Sequence, residues 1–401
     1  MKRAARAIVT AILAGLLVFA AVPYLRASMV IARAAGVGGW AGRISAWNAR
    51  AVTETWGEIP TRHGSVRMRL YRPAAGRASR ATLLVSGVHA AGVSEPRLVG
   101  LSRDLAASGL IVVTPEIPDL KQYRITGRAT NIIEDSAVWL AARADLAPDQ
   151  RVGMMGISFS GGLSIVAAGR PALRDHVAYV FSFGGHGNLP RVLKYLCTGI
   201  EPSATDTASG PPRPPHDYGL AVILHAVADR MVPSEQVGQL RHGVETFLWA
   251  STLAMVDERS AREEFDKARS LAGDMPEPAA QLMRYVNARD VAALGPRLLP
   301  HIGTLGDDPS LSPDQSPPPS APVYLLHGTD DNVIPAVETR LLAARLKSHT
   351  RVRYLLSRLI THAGVDRRPD VLEGWRLLSF WSEILSEVAV SHQLSAISSQ
   401  D

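Results

Sequence analysis

Cysteine is almost absent from the sequence: Cys197 is the only one among 401 residues. A disulfide within the chain is therefore excluded, and so is a metal site made of several cysteines. The sequence also lacks an H-E-x-x-H motif and paired His/Asp clusters, so we expect no metal ion. Blocks of basic residues interleaved with aromatics are missing too, although the net charge is +6. Nucleic acid is therefore not an expected partner.

The composition that remains is that of a folded protein. Hydrophobic residues make up 46% and charged residues 20% of the chain, which are ordinary values for a globular protein and exclude general disorder. A chain of 401 residues is too long for one compact core. The length therefore predicts a core with an insertion or a second domain.

One long apolar run is present, from Ala7 to Leu25, and Lys2, Arg3 and Arg6 precede it. As a helix it is just long enough to cross the hydrocarbon core of a membrane. It is either an uncleaved membrane helix with its basic end in the cytoplasm or a cleaved secretory signal with a small-residue site near 18–20. We favour the anchor, because Leu25 stands where a cleavage site needs a small side chain. In both cases the rest of the chain is expected outside the cytoplasmic membrane.

Short apolar runs alternate with helical stretches through most of the chain. A β-hairpin is predicted around the turn at 61–65. Continuous apolar runs are typical of strands buried on both faces, and they lie at 81–85, 110–114, 151–156, 177–181, 323–326 and 352–356. Helices are predicted at 98–108, 130–143, 162–168 and 371–387, which implies right-handed crossovers. The sequence therefore predicts an α/β fold with a mostly parallel, doubly wound sheet.

The alternation stops between two stretches rich in proline and serine, 201–216 and 306–322, which we interpret as linkers. The residues between them are predicted to be helical, at 218–230, 234–256, 260–272 and 277–287. A helical insertion thus interrupts the core. The predicted boundaries are 1–28 for the membrane anchor or signal, 29–52 for a neck, 53–186 for the first part of the core, 187–320 for the insertion with its linkers, 321–387 for the second part of the core and 388–401 for a C-terminal tail.

The segment 156–162, Gly-Ile-Ser-Phe-Ser-Gly-Gly, joins a buried strand to a helix. A side chain at such a sharp turn is held in a strained conformation with its hydroxyl above the sheet, and the residues two positions away must be small. Ser158 is therefore the candidate nucleophile, with Gly156 as one small neighbour. The other neighbour is Ser160 instead of glycine. A shifted reading would make Ser160 the nucleophile, and a Gly/Ser loop without chemistry is the third interpretation.

A carboxylate is expected just past a late parallel strand, at the edge of the sheet where the Ser158 turn opens. Asp330 and Asp331 both follow the strand at 323–326, and at this point either is a candidate. His327, at the end of that strand, is expected to be a structural hydrogen-bonding residue.

The base is expected after one further strand. His362 lies in the loop that follows 352–356 and precedes the last helix. The chain has 12 histidines, and the position after the last strand is what selects this one. A serine, an aspartate and a histidine in this order are the chain order of one class of serine hydrolases.

An acyl-transfer enzyme also needs two N–H donors for the oxyanion. We expect one from Phe159 and the other from the loop after Val85, where small residues allow the backbone to approach a substrate. Val88 is the preferred second donor and His89 the alternative. The His89 side chain either lines the pocket or only fills the loop.

These motifs resemble the α/β-hydrolase superfamily, in the region of the dienelactone-hydrolase-like and prolyl-oligopeptidase-like esterases and peptidases. The resemblance covers about 53–186 and 321–387. The family pattern H-G-x-x-D-x-x-V/I-P places the acid four residues after the histidine, which favours Asp331 over Asp330. The resemblance implies an eight-stranded sheet, no cofactor and an acyl-enzyme mechanism. The family often places a cap where the insertion lies, so 184–187 is expected to be a hinge or an ordinary loop.

The expected function is a serine hydrolase that acts on small or lipidic carboxylic esters. A peptidase or an acyltransferase would use the same three residues. A non-catalytic binding protein on a hydrolase scaffold is the alternative from another class. Dienelactone hydrolases use cysteine as the nucleophile, so their activity is not implied for a chain with serine at that position. Expected partners are a small-molecule or lipid ester and a membrane.

Overall fold

The computed structural model describes residues 21–33, 50–75, 80–203, 209–254, 256–360 and 371–389. Most of the apolar run at 7–25 lies outside these ranges. Within them, no helix combines the length and the apolar character needed to cross a membrane. The predicted N-terminal membrane helix is therefore not confirmed.

The centre of the molecule is an eight-stranded sheet with the strand order β1-β2-β4-β3-β5-β6-β9-β10. The strands are β1 (Val52–Thr61), β2 (Gly64–Pro73), β3 (Ala81–Val85), β4 (Ile111–Pro115), β5 (Val152–Ile157), β6 (Val177–Phe183), β7 (Ile200–Pro202), β8 (Ser209–Pro212), β9 (Val323–Gly328) and β10 (Val352–Ser357). From β4 to β10 all neighbouring strands of this sheet are parallel. The hairpin β1–β2 is antiparallel, and β2 is also antiparallel to β4. The mostly parallel sheet is as predicted.

Helices cover both faces of the sheet because the strands in its middle are apolar on both sides. The helices are α1 (Pro96–Ala107), α2 (Pro118–Lys121), α3 (Gly127–Ala141), α4 (Phe159–Ala168), α5 (Leu189–Thr198), α6 (Asp217–Met231), α7 (Ser234–Leu253), α8 (Glu258–Asp274), α9 (Ala279–Ala288), α10 (Val291–Leu298), α11 (Ile302–Gly306), α12 (Val337–Leu346) and α13 (Val371–Ala389). One hydrophobic cluster includes α3, α4 and α12, and a second includes α1 and α13. The sheet is therefore doubly wound.

A further helix at 21–33 packs with the second cluster. Ala27 and Val30 are fully or almost fully buried in it. At the C-terminal end of this helix, Arg33 donates to the Asp104 carboxylate at 3.1 Å and to the Ser108 hydroxyl at 2.6 Å. The helix thus continues past the predicted boundary between anchor and neck at residue 28. It does so because its apolar face packs in the core on both sides of that residue.

The insertion is helical from α5 to α11, but the two stretches interpreted as linkers are structured. The first contains the antiparallel pair β7–β8. The second carries two 3₁₀ turns, Pro309–Leu311 and Pro313–Gln315, and packs against the core. Their proline and serine content indicated flexibility, whereas the prolines stand at the first turns of these short helices, where proline is tolerated. Helix α5 is not among the predicted helices, whereas α10 lies within the stretch predicted to be helical, beyond the four ranges given for it.

The first end of the insertion is tied to a buried carboxylate, that of Glu338 in α12, and the second end is joined to it through Arg191. Its Oε2 atom accepts the N–H groups of Gly187 and Asn188 at 2.9 and 3.0 Å. Arg191 donates to both carboxylate oxygens and also lies 3.4 Å from Asp314, near the end of the insertion. Residues 184–187, expected to be a hinge or an ordinary loop, therefore end in a segment that is firmly held.

The Glu338→Ala substitution is expected to destabilise the fold by about 3–5 kcal/mol, because it leaves a half-buried arginine and two backbone N–H groups without their acceptor. Urea denaturation measures this change. Glu383→Ala removes a partner of Arg353 from an ion pair in which both side chains are about half exposed, and it should cost about 1 kcal/mol or less. Equal losses of stability for the two substitutions would contradict the role of Glu338 in holding the insertion.

Candidate active site

Ser158 is the single residue that connects the end of β5 to the start of α4. Its φ and ψ angles are 58° and −134°, a region that residues other than glycine avoid because it costs about 1–3 kcal/mol. The surrounding backbone holds this conformation: the Ser158 N–H donates to Phe183 O at 2.7 Å, and Ser158 O accepts from Gly161 N at 2.8 Å. Ser158 is the only residue of the turn with such a positive φ, as expected for a strained strand-to-helix turn.

The neighbours of Ser158 are packed so closely that only small residues fit. A Cβ atom added to Gly156 would lie 2.3 Å from Ser160 O, and one added to Gly161 would lie 2.3 Å from Ser182 Oγ. Ser160 is itself fully buried. Its hydroxyl accepts the Ile157 N–H at 2.9 Å and lies 2.8 Å from Ile157 O and 3.0 Å from Val85 O. Ser160 therefore fastens the turn to β3, and its hydroxyl is not presented to a substrate.

The loop after β3 lies directly beside Ser158. A Cβ atom on Gly87 would be 3.5 Å from the Ser158 Cβ atom. Among the described residues, the N–H of Val88 makes no hydrogen bond, whereas the N–H of His89 donates to Leu120 O at 3.2 Å. The His89 ring accepts the Ala91 N–H at 3.0 Å, so His89 organises the loop. The N–H of Val88 is therefore a candidate donor in the loop whose Gly87 lies beside Ser158, whereas that of His89 is engaged.

Phe159 begins α4, so its N–H has no acceptor within that helix. The helix is ten residues long, and its N-terminal partial positive charge lies at the Ser158 side chain. Phe159 N–H and Val88 N–H come from different elements that meet at Ser158. This arrangement can stabilise a negative oxygen.

Tyr218 in α6 connects the insertion to this loop, which the sequence did not indicate. Its hydroxyl donates to Val88 O at 2.5 Å. Burial raises the pKa of Tyr218 well above its ordinary value, so the phenol keeps its proton as the donor. One residue before α6, His216 donates its N–H to Asn332 O at 2.8 Å. The start of α6 thus contacts both the Val88 loop and the loop after β9.

Asp331 lies in the loop after β9, at the same edge of the sheet as Ser158. The two positions are linked across β6, since Gly184 N donates to Leu326 O at 2.8 Å while Phe183 O accepts from Ser158. The Asp331 side chain is fully buried and its Oδ1 atom accepts the N–H groups of Val333 and Ile334 at 2.8 and 2.9 Å. Asp330, the alternative acid, is exposed.

His327 is fully buried and fixed by hydrogen bonds on both ring nitrogens. Nδ1 lies 2.7 Å from the Thr339 hydroxyl, and Nε2 lies 2.8 Å from Ile334 O and 3.2 Å from Asp331 Oδ2. With Nε2 protonated, the ring donates to the Ile334 carbonyl and accepts from Thr339. His327 is thus a structural hydrogen-bonding residue, as its position at the end of β9 predicted.

His362, the predicted base, lies outside the described residues. The chain on either side of it is placed by β10 and α13, since the hydroxyl of Ser357 donates to Glu373 at 3.0 Å. Ser357 is paired with Gly328 of β9. The described residues Ser357 and Glu373, on either side of it, therefore lie at the edge of the sheet where Ser158 and Asp331 lie.

An open cavity of about 550 Å³ lies next to the Val88 loop. Core residues from the loops after β3 and β4 form one side, and α7 of the insertion forms the other. The lining residues are Ala90, Glu116, Pro118, Lys121, Gln122, Tyr123, Glu245 and Trp249. The insertion thus contributes one wall of a space at the active-site edge.

His186 packs beneath α4, with its ring 5.5 Å from that of Phe159. It is fully buried, and its Nε2 atom lies 2.7 Å from Leu311 O. Burial lowers the pKa of His186 from the ordinary value of 6.5 to about 4, while Leu311 O and Asp314 oppose this shift and Arg191 adds to it. The neutral ring donates through Nε2 and holds the second end of the insertion to the base of α4.

Comparison with known proteins finds no matching family model and no matching curated sequence. Solved structures do resemble the chain. A hyperthermophilic esterase from Pyrobaculum calidifontis is 17% identical, with 93% of this chain and 92% of that chain covered and a TM-score of 0.46. The carboxylesterase EstE1 from a metagenomic library is 16% identical (85% and 90% covered, TM-score 0.45). An acylaminoacyl peptidase from Pyrococcus horikoshii is 14% identical (81% and 40% covered, TM-score 0.43).

The sheet and the turn define the class of the protein. A mostly parallel sheet covered on both faces, with a strained residue on a sharp strand-to-helix turn at the carboxyl ends of its strands, is the α/β-hydrolase architecture. The chain has an α/β-hydrolase fold, with a helical insertion between β6 and β9.

The buried His186 predicts a loss of stability in acid. The pKa of His186 is lower in the folded than in the unfolded chain. Its contribution to the free energy of unfolding is therefore complete above pH 6.5 and is lost as the pH falls towards about 4. At about 1.4 kcal/mol per pKa unit, this amounts to about 3 kcal/mol. Urea titrations from pH 7.5 to 4 should show a flatter decline for His186→Gln, even if that variant is less stable at pH 7.5. His349→Gln, at an exposed position, should keep the parental slope, and equal slopes for all three chains would refute this role.

Proposed function

We propose that the protein is a serine hydrolase that cleaves carboxylic esters through an acyl-enzyme, with Ser158 as the nucleophile. The observation that carries this proposal is the strained conformation of Ser158 at the start of α4, with Gly87 of the loop after β3 packed against it. A fold tolerates such strain where a side chain must be held clear of the backbone.

In the proposed reaction, Ser158 Oγ attacks the ester carbonyl carbon while His362 takes the hydroxyl proton. The carbonyl oxygen becomes an oxyanion, which accepts hydrogen bonds from the N–H groups of Phe159 and Val88. When the tetrahedral intermediate collapses, the C–O bond to the alcohol breaks and His362 gives its proton to the leaving oxygen. Water then repeats these steps on the acyl-enzyme and releases the acid.

Asp331 is the residue proposed to orient His362 and to stabilise its charged form. Its Oδ1 atom is already engaged by two backbone N–H groups, which fix the carboxylate in one position. The negative charge of a buried carboxylate favours a protonated imidazole beside it. Asp330 is exposed and therefore lacks the low-dielectric surroundings.

The cavity between the Val88 loop and α7 is the proposed place for part of the ester. Trp249 and the ring of Tyr123 give it apolar wall area, and Glu116 and Lys121 form an ion pair at 3.2 Å on its rim. Mixed walls of this kind suit an acyl or alcohol group with an apolar body. We therefore propose small or lipidic carboxylic esters as the substrate class.

We also propose that the hydrolase acts outside the cytoplasmic membrane, tethered through its N-terminus. The apolar run at 7–25 and the basic residues before it support this location.

The Ser158→Ala substitution is expected to abolish labelling by a fluorophosphonate probe and hydrolysis of p-nitrophenyl esters, because no nucleophilic oxygen remains. The rate loss should be at least about 10³-fold, the scale seen when a triad member is removed. Gel fluorescence and a graded series of acyl lengths measure the two effects.

Ser160→Ala is the matched control, since it removes a hydroxyl two residues away that fastens the turn. It should label more slowly but still label. Undiminished labelling of Ser158→Ala, or labelling lost only in Ser160→Ala, would contradict the assignment of the nucleophile. Turnover of the matching amides without turnover of the esters would contradict the substrate class.

Tyr218→Phe is expected to lower kcat roughly tenfold with little change in KM, because Val88 O loses the donor that holds its peptide group in place. The loss should be smaller than the roughly 10²-fold or greater effect of removing an oxyanion donor itself. Steady-state kinetics with one ester measure both constants.

Tyr285→Phe serves as the matched control, because the Tyr285 hydroxyl accepts a hydrogen bond from Gln281 at 2.9 Å, within the insertion itself. It should keep the parental kcat. A Tyr218→Phe variant with raised KM and parental kcat would show that the hydroxyl acts in substrate binding instead.

A further inference from the structure

Large apolar side chains are exposed together at one place on the surface. The structure describes eleven exposed large hydrophobic residues, and five of them lie in two short segments. These five form what we call the apolar edge patch: Tyr24, Leu25, Val371, Leu372 and Trp375. Val371 is 92% exposed and Leu25 is 56% exposed, so neither side chain contributes much to the core.

The patch is continuous across two helices. The rings of Tyr24 and Trp375 are stacked, with centroids 5.7 Å apart and planes 12° from parallel. Val371 and Leu372 lie four and three residues before Trp375 in α13, which places them on the same side of that helix. Leu25 follows Tyr24 directly. A group of exposed aliphatic and aromatic residues of this kind marks an interaction site.

The patch lies at the active-site edge of the sheet. It contains the first residues of α13, and the neighbouring Glu373 accepts a hydrogen bond from Ser357 at the carboxyl end of β10. Ser357 is paired with Gly328, which is three residues before Asp331. The patch and the candidate site therefore open at the same end of the molecule.

The helix at 21–33 runs away from that edge. It starts beside Trp375, and Arg33 at its other end contacts Asp104 and Ser108 at the end of α1. Helix α1 ends just before β4 begins, which is at the opposite edge of the parallel strands. Residue 21, where the described helix begins, therefore lies at the active-site edge.

The neighbouring sequence favours a lipid bilayer as the occupant of this patch. The apolar run from Ala7 continues without a charged residue to Leu25, inside the patch, and Lys2, Arg3 and Arg6 precede it. Tryptophan and tyrosine are enriched where a protein meets the headgroup region of a membrane. A protein partner would not require the patch to continue into such a run.

We infer that the apolar edge patch sits in the interfacial layer of a lipid bilayer, so that the edge of the sheet carrying Ser158 and Asp331 faces the membrane. The orientation follows from the stacking of Tyr24 on Trp375, the start of α13 and the direction of the helix at 21–33. This orientation would let ester substrates enter the site from the lipid phase, a conclusion that also rests on the proposed ester hydrolysis.

The test uses the full chain with a single added cysteine for an environment-sensitive fluorophore. Cys197 is buried, and burial raises the pKa of its thiol to about 12, so the parent chain serves as the unlabelled blank. Leu372→Cys places the label in the patch, and Ser348→Cys places it at an exposed position just before β10, at the opposite edge. Vesicles of phosphatidylcholine and phosphatidylglycerol are added, and flotation reports binding.

We expect the label at 372 to shift to shorter wavelength and to brighten several-fold with vesicles, while the label at 348 stays unchanged. An unchanged signal at 372 in floated protein, equal responses at both positions, or no flotation would each overturn the inference. A shift at 372 that depends on protein concentration without vesicles would assign the patch to a second copy of the chain. Adding Ser158→Ala to the labelled chain should leave the fluorescence shift unchanged. Membrane contact is therefore tested independently of the proposed ester hydrolysis.

Discussion

The close packing around the Ser158 turn is the constraint on which the rest of the site depends. The strained backbone of Ser158 persists because Gly156 and Gly161 leave room for the approach of β5, α4 and β6, and because Ser160 fastens the turn to β3. The same approach brings Gly87 against Ser158 and so positions the neighbouring Val88 relative to that side chain. One larger side chain at 156 or 161 would separate all of these elements at once.

The insertion helps to build the candidate site, because it contacts both loops of that site. Tyr218 holds the Val88 peptide and His216 contacts Asn332, next to Asp331. Glu338 and Arg191 fix the base of the insertion with a buried ion pair. The insertion is therefore held at its base and also contacts the loops that carry Val88 and Asp331.

The sequence was informative where the pattern is local, and it failed where the contacts are distant. Buried strands, the Ser158 turn and the place of Asp331 after β9 follow from short apolar runs and a few small residues. The proline-rich stretches were misread because proline content alone does not distinguish a flexible linker from 3₁₀ turns packed on a core, as at Pro309 and Pro313. Nothing near Tyr218 indicates its bond to Val88, since the partners are separated by 130 residues. Likewise, the buried Glu338 carboxylate accepts a hydrogen bond from Gly187, which lies 151 residues earlier in the chain.

The position of the insertion between β6 and β9 has a consequence for how the chain folds. These strands are neighbours in the sheet, yet every residue of the insertion lies between them in the sequence. Pairing them closes a very long loop unless the insertion is already compact, and closure of long loops carries an entropic cost and slows folding. During synthesis, Ser158 and β6 emerge long before β9 and Asp331. The half-built sheet therefore presents the open edge of β6 until the insertion has condensed and shortened the distance that β9 must cover.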